Sequence, residues 1–281
     1  MQRFLSLVFA FWLLAGSAFA QIQQPTPITF TFTDEKYTDN KSIKLEGFEY
    51  IPKTANGKVI VFLHGSAGGT NDQRFIKESI KFLNTSKYAL ENGYTFVPFM
   101  RKGRGKSEGD FTEEAEKCGW GSTLRQIDEA ERQVSQVLEQ VRVKYGVQKV
   151  ILMGHSRGGF LSAYYAAKHP EQVSAVVNLA GVWNAECEFK SGGMASRKLL
   201  EEAAQKFKPQ LWAYFEYDTY FMSDKFNDAN YEWLGKIARD NGLIFQVFPS
   251  IPPRDGHDTP TWYPKEWALT YFPKLNEMTS K

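Results

Sequence analysis

A serine hydroxyl set among glycines, in Gly154-His155-Ser156-Arg157-Gly158 with Gly159 behind it, is the group in this chain best suited to covalent chemistry. A hydroxyl is a weak nucleophile until a base takes its proton, and it must be presented on a sharp turn to attack anything. The flanking glycines let such a turn form without Cβ clashes. An apolar run, Val150 to Met153, leads into the motif and a helical pattern from Phe160 leads out, so it falls at a strand-to-helix turn. Taken alone, GxSxG is a common accident of glycine-rich sequence; the placement gives it meaning.

Four histidines could serve as the base. His64 ends an earlier apolar run, His155 adjoins the serine, and His169 precedes Pro170 where a helix ends. His257, in Arg254-Asp255-Gly256-His257-Asp258, follows the last strand-like run, Ile244 to Phe248, where the carboxyl edge of a sheet would bring it over Ser156. The acid that orients its imidazole should lie between serine and histidine in sequence and at a strand end, as Asp218 does after Leu211 to Tyr217. Glu216 and Asp224 are its rivals. Glu216 should point to the other side of the strand end and Asp224 lies deeper in the loop, so Asp218 is preferred. A tetrahedral intermediate also needs donors for its oxyanion. The backbone N–H groups of Ser66, in His64-Gly65-Ser66-Ala67-Gly68-Gly69, and of Arg157 are the expected pair.

Holding these residues together requires a sheet whose strands end at one edge. Ile28 to Phe32 and Ile43 to Ile51 alternate like a hairpin pair. Val59 to Leu63, Tyr94 to Phe99 and Val150 to Met153 are continuous apolar runs, as expected of parallel strands buried on both faces. Helical periodicity over Ser122 to Tyr145 ends at Gly146, and strand and helix patterns alternate onward through Phe160 to His169, Val173 to Leu179, Leu199 to Phe207, Leu211 to Tyr217, Phe226 to Asp240 and Ile244 to Phe248. This order predicts an α/β fold, a doubly wound, mostly parallel sheet of about eight strands flanked by helices. The chain's 281 residues suit one such domain, over residues 21–281.

The first twenty residues read as a signal peptide: Arg3, an apolar run from Phe4 to Leu14, and small residues around Ala18-Phe19-Ala20, with cleavage after Ala20. Export, periplasmic or secreted, is the expectation, with no membrane association after cleavage. In an oxidising compartment Cys118 and Cys187, the two cysteines of the chain, are expected to pair as a disulfide. Basic and acidic side chains nearly cancel, 34 against 32, which argues against an electrostatic nucleic-acid binder. The basic stretch Arg101-Lys102-Gly103-Arg104-Gly105-Lys106 is read as a solvated turn without chemistry. Trp120, Trp183, Tyr217, Tyr220, Phe221 and Trp262 follow strand-like runs and are candidates to line a substrate pocket. Between Gly181 and Pro209 there is little beyond one helix, Ser196 to Phe207, which leaves no room for a large lid.

With these residues in view, the chain resembles the dienelactone hydrolase-like branch of the α/β-hydrolases from about Val59 onward. The resemblance rests on His64-Gly65-Ser66, the turn Arg101 to Gly109, the Gly154 to Gly159 elbow, Leu211-Trp212-Ala213-Tyr214 leading to Asp218-Thr219-Tyr220-Phe221, and Asp255-Gly256-His257. It implies a cofactor-independent esterase or lactonase with Ser156, Asp218 and His257 as triad and a small-molecule ester as substrate. Dienelactone hydrolases proper carry Cys where Ser156 stands, so dienelactone itself does not carry over. A serine peptidase of the prolyl-oligopeptidase type shares the triad order, but too little chain precedes Val59 for the propeller such enzymes usually carry. A binding protein on a dead hydrolase scaffold should lack a triad member, and all three are present. Oligomeric state is not legible.

Overall fold

The computed structural model describes residues 24–34, 41–66, 77–113, 120–183, 194–219, 227–252 and 255–280. The expected leader, the Cys118–Cys187 pair, Asp224, Arg254, Tyr220, Phe221 and the glycines at 68 and 69 lie outside them. Eight strands form one sheet: β1 (Thr26–Thr33), β2 (Ser42–Glu49), β3 (Val59–Leu63), β4 (Thr95–Phe99), β5 (Val150–His155), β6 (Val173–Leu179), β7 (Gln210–Phe215) and β8 (Ile244–Phe248). Their spatial order is β1-β2-β4-β3-β5-β6-β7-β8. The first two pair antiparallel over their full length, from Thr26 opposite Glu49 to Thr33 opposite Ser42, and β2 meets β4 antiparallel. From β4 to β8 every pairing is parallel, so these strands end at a common edge, where open α/β sheets hold their ligands.

Alternation along the central strands builds two cores at once. Val59, Val61 and Leu63 of β3 face one layer with Leu152 of β5 and Trp212 of β7, while Ile60, Phe62, Ile151 and Leu211 face the other. Residues of α2 (Trp120–Tyr145), α3 (Arg157–Lys168), α4 (Met194–Lys206) and α5 (Asn227–Asp240) join the first core. The second core takes Ala89 from α1 (Leu83–Glu91) and Trp267, Tyr271 and Phe272 from α7 (Lys265–Thr279), which follows the short α6 (Thr259–Trp262). The outer strand β1 is tied by side chains of α2. Gln140 Oε1 accepts from the N–H of Thr31 at 2.9 Å and Gln136 Oε1 from that of Thr33 at 2.8 Å, while their amides donate back to the same two carbonyls. The edge N–H and C=O groups of Thr31 and Thr33, which could template aggregation, are thus satisfied within the chain.

Candidate active site

Ser156 sits between β5 and α3 with φ 55° and ψ −125°, a conformation L-residues adopt only under compulsion. Three backbone hydrogen bonds supply it: Ser156 N–H to Leu179 O at 2.9 Å, and Phe160 and Val182 N–H to Ser156 O at 3.0 and 3.2 Å. The flanking glycines are required by close approach, since a Cβ on Gly154 would meet Gly158 O at 2.2 Å and one on Gly158 would meet Leu63 O at 2.0 Å. Only 4% of the Ser156 surface is open to solvent, so the turn presents a residue that is itself buried. The loop after β3 lies against it: a Cβ on Gly65 would stand 2.9 Å from Ser156 Cβ. Ser66 follows in that loop, and Arg157 is the first residue of α3, whose first-turn N–H groups have no intrahelical acceptor.

Asp218 and His257 meet at the same edge. His257 Nδ1 lies 3.0 and 2.9 Å from the two carboxylate oxygens of Asp218. Carboxylate oxygens only accept, so Nδ1 carries the ring proton and Nε2 keeps its lone pair for an incoming proton. β7 ends at Phe215, two residues earlier than expected, and Tyr217 at φ 56° turns the chain so that Asp218 is buried while Glu216 is exposed. The His257 loop closes on this turn through Gly256 N–H to Tyr217 O at 3.0 Å. Only glycine fits there, because a Cβ would stand 2.0 Å from Glu216 O. Asp255 Oδ1 accepts from the N–H of His257 at 2.8 Å and of Thr219 at 3.1 Å, locking the two loops together. Burial disfavours charge on His257, but the charge and hydrogen bond of Asp218, with Asp258 and Asp255 behind it, outweigh that and raise its pKa above 6.5.

His155 takes a part the sequence did not disclose. Its Nε2 lies 2.6 Å from the backbone oxygen of His257, so Nε2–H donates to the loop that carries His257, with ring centroids 4.9 Å apart. Burial first, and then the charge of His257, push its pKa down to about 3, so it stays neutral. The basic turn after β4 departs further from expectation. Arg101 and Arg104 are buried, because Arg101 reaches inward to Glu113 and His64 while Arg104 lies over the ring of Phe111. Glu113, also buried, was not singled out by any motif, since a carboxylate twelve residues from its partner has no periodic signature. Of the aromatic candidates, Trp183 belongs to the core, whereas Tyr217 (66%) and Trp262 (50%) are exposed. No side-chain environment is described for Trp120.

Against known proteins, a 1-acylglycerol-3-phosphate O-acyltransferase of Arabidopsis thaliana is 30% identical over 131 residues, 40% of this chain and 31% of that protein. The match thus spans under a third of that relative's length. Among solved structures, an esterase of Pyrococcus furiosus superposes with a TM-score of 0.59 at 15% identity, covering 91% of this chain and 92% of the other. Est1E of Butyrivibrio proteoclasticus with bound ferulic acid gives 0.58 at 15% identity, covering 85% and 97%. The profile of the alpha/beta hydrolase fold matches residues 58–246, which run from the start of β3 through the Ser156 turn and Asp218 into β8. By that match and by the sheet that carries its elbow, the chain belongs to the α/β-hydrolase fold family.

Proposed function

We propose that this protein is a serine hydrolase of small, water-soluble carboxylic esters, working through an acyl-enzyme in the manner of the dienelactone hydrolase-like branch. The observation that carries the reading is the contact of His257 Nδ1 with both oxygens of Asp218, at 3.0 and 2.9 Å, on the sheet edge that bears the Ser156 elbow. His257 Nε2 takes the proton of Ser156 as its oxygen attacks the ester carbonyl, and the N–H groups of Ser66 and Arg157 receive the oxyanion. The same proton goes to the departing alcohol, and water repeats the steps to release the acid. Esterase neighbours in fold space support the bond type. The short span between Gly181 and α4 supports small acyl groups, so p-nitrophenyl acetate and butyrate should be cleaved faster than palmitate, without a rate jump at an oil–water interface. A preference for the palmitate ester contradicts this reading.

A second outcome for the acyl-enzyme is favoured by the acyltransferase relative: transfer to an alcohol acceptor in place of water. Product analysis with added glycerol separates the two, since transfer yields a glycerol ester and hydrolysis only the free acid.

His155 provides a test of how the base is held. His155→Leu removes the donor to the His257 carbonyl and should lower kcat roughly 10-fold with little change in KM, because small displacements of a catalytic group are costly. In His155→Gln an amide can donate to the same oxygen, and most of the activity should return. Equal losses in both variants, measured by steady-state kinetics, would show that the hydrogen bond is not what counts.

A further inference from the structure

The ion pair of Arg101 and Glu113 is buried beside the elbow, yet no step of the proposed reaction uses it. Arg101 Nε and Nη2 both donate to the carboxylate of Glu113, Nη2 to Oε2 at 2.8 Å. Its third nitrogen, Nη1, donates to the backbone oxygen of His64 at 2.8 Å. The backbone N–H of Arg101 donates to His64 Nε2 at 2.9 Å, so the ring proton of His64 stands on Nδ1 and is donated to Gly65 O at 2.6 Å. Burial, then the charges of Arg101 and Arg104, hold the pKa of His64 well below 6.5, which keeps this tautomer neutral. Arg101 therefore grips the His64-Gly65-Ser66 loop through two bonds to His64, one of which sets the ring that holds Gly65.

The other side of the pair leads to the helix after the nucleophile. Arg157 Nη1 donates to the backbone oxygen of Glu113 at 2.8 Å, with its guanidinium 5.3 Å over the ring of Trp183. Burial alone would raise the pKa of Glu113, but the charge and hydrogen bonds of Arg101, and the charges of Arg157 and Arg104, hold it below the usual range and keep it ionised. A buried ion pair adds little net stability over apolar side chains of equal volume, because desolvation offsets the attraction. What a planar guanidinium adds is direction, since its fork serves several acceptors at fixed angles.

We propose that the Arg101–Glu113 pair is the positioning device of the oxyanion hole, joining the loop that supplies the Ser66 N–H to the helix start that supplies the Arg157 N–H. This rests on the serine-hydrolase reading. It accounts for Arg101 folding inward where a solvated turn was expected: its guanidinium spans from the β3 loop to Glu113, and Glu113 passes the link to Arg157. Neither residue touches the reacting atoms, so both act through the two backbone donors.

Arg101→Lys, made in the full chain, is the test. Lysine keeps the charge opposite Glu113 but cannot hold the carboxylate and the His64 carbonyl at once. The kcat on p-nitrophenyl butyrate should fall roughly 10- to 100-fold, less than the loss of an oxyanion donor itself, with KM changed about threefold or less. Affinity for a trifluoromethyl ketone, which forms a tetrahedral adduct on the serine, should fall by the same factor as kcat, and the pH midpoint of kcat/KM should not move. Should Arg101→Lys fail to fold by circular dichroism, the charge-balanced Arg101→Met/Glu113→Leu variant takes its place under the same criteria. The proposal is overturned if kcat and ketone affinity stay within about twofold of wild type, if kcat falls while ketone affinity holds, or if the pH midpoint shifts with them. Fluorophosphonate labelling of wild type at Ser156 separates the two failures: without it the hydrolase reading has failed, and with it only the role of Arg101 and Glu113 has.

Discussion

Ser156→Ala is expected to lower kcat by about 10⁴-fold or more and to abolish covalent labelling by a fluorophosphonate, because a triad loses nearly all its advantage with its nucleophile. The fold should survive. The unusual backbone of Ser156 is imposed by bonds from its own N–H to Leu179 O and from Phe160 and Val182 to its carbonyl, none of which involves the hydroxyl. Alanine keeps the Cβ and bears the same φ of 55°, so strain at the elbow is unchanged and the melting temperature should move little. Labelling and activity must disappear together while circular dichroism stays as in wild type. Labelling that persists at another serine would remove Ser156 from the mechanism and leave the elbow a structural turn.

How much of this site could be read from sequence follows from which interactions have a local signature. The central strands did, because β3 and β5 are buried on both faces and so are written as the unbroken apolar runs Val59 to Leu63 and Val150 to Met153. α2 was legible through its apolar spacing and the glycine after it, at φ 66° in Gly146. α1 and α7 were not: no side-chain cap marks either start, and α7 contains Pro273, which sequence reasoning takes as a stop. At the candidate site, Ser156, Asp218 and His257 could be named because chain order and strand ends constrain them, and the structure sets His257 Nδ1 against Asp218. His155 and Arg101 escaped because their partners, His257 O and His64 O, are 102 and 37 residues away and are backbone atoms, which carry no residue type. The basic turn was misjudged for a related reason: composition registers four cations, while burial of Arg101 and Arg104 depends on tertiary contacts with Glu113, His64 and Phe111.

His257→Ala should cost as much as the loss of the serine, and Asp218→Asn less, roughly 10²- to 10⁴-fold in kcat. The asymmetry arises because an asparagine amide can donate to Nδ1 and force the proton to Nε2, the wrong tautomer, while the ring itself stays in place. The pH dependence makes the assignment sharper. The base must be neutral to accept a proton, and Asp218 raises its pKa against the opposing effect of burial, so wild-type kcat/KM should rise with pH through a midpoint above 6.5. In Asp218→Asn the burial remains and the carboxylate is gone, so the residual activity should rise through a lower midpoint than in wild type. Stability moves the other way. A histidine whose folded pKa is raised contributes stability fully below the unfolded value of 6.5 and loses it as pH rises through the folded value, so the wild-type contribution fades over the window in which activity appears. With the carboxylate replaced this contribution should vanish, and wild type should lose its thermal advantage over Asp218→Asn as pH rises from about 5 to 9. Kinetics and thermal melts on both proteins across that range check the argument. A midpoint that stays put in Asp218→Asn, or one that moves in Glu216→Gln instead, would transfer the acid's role away from Asp218.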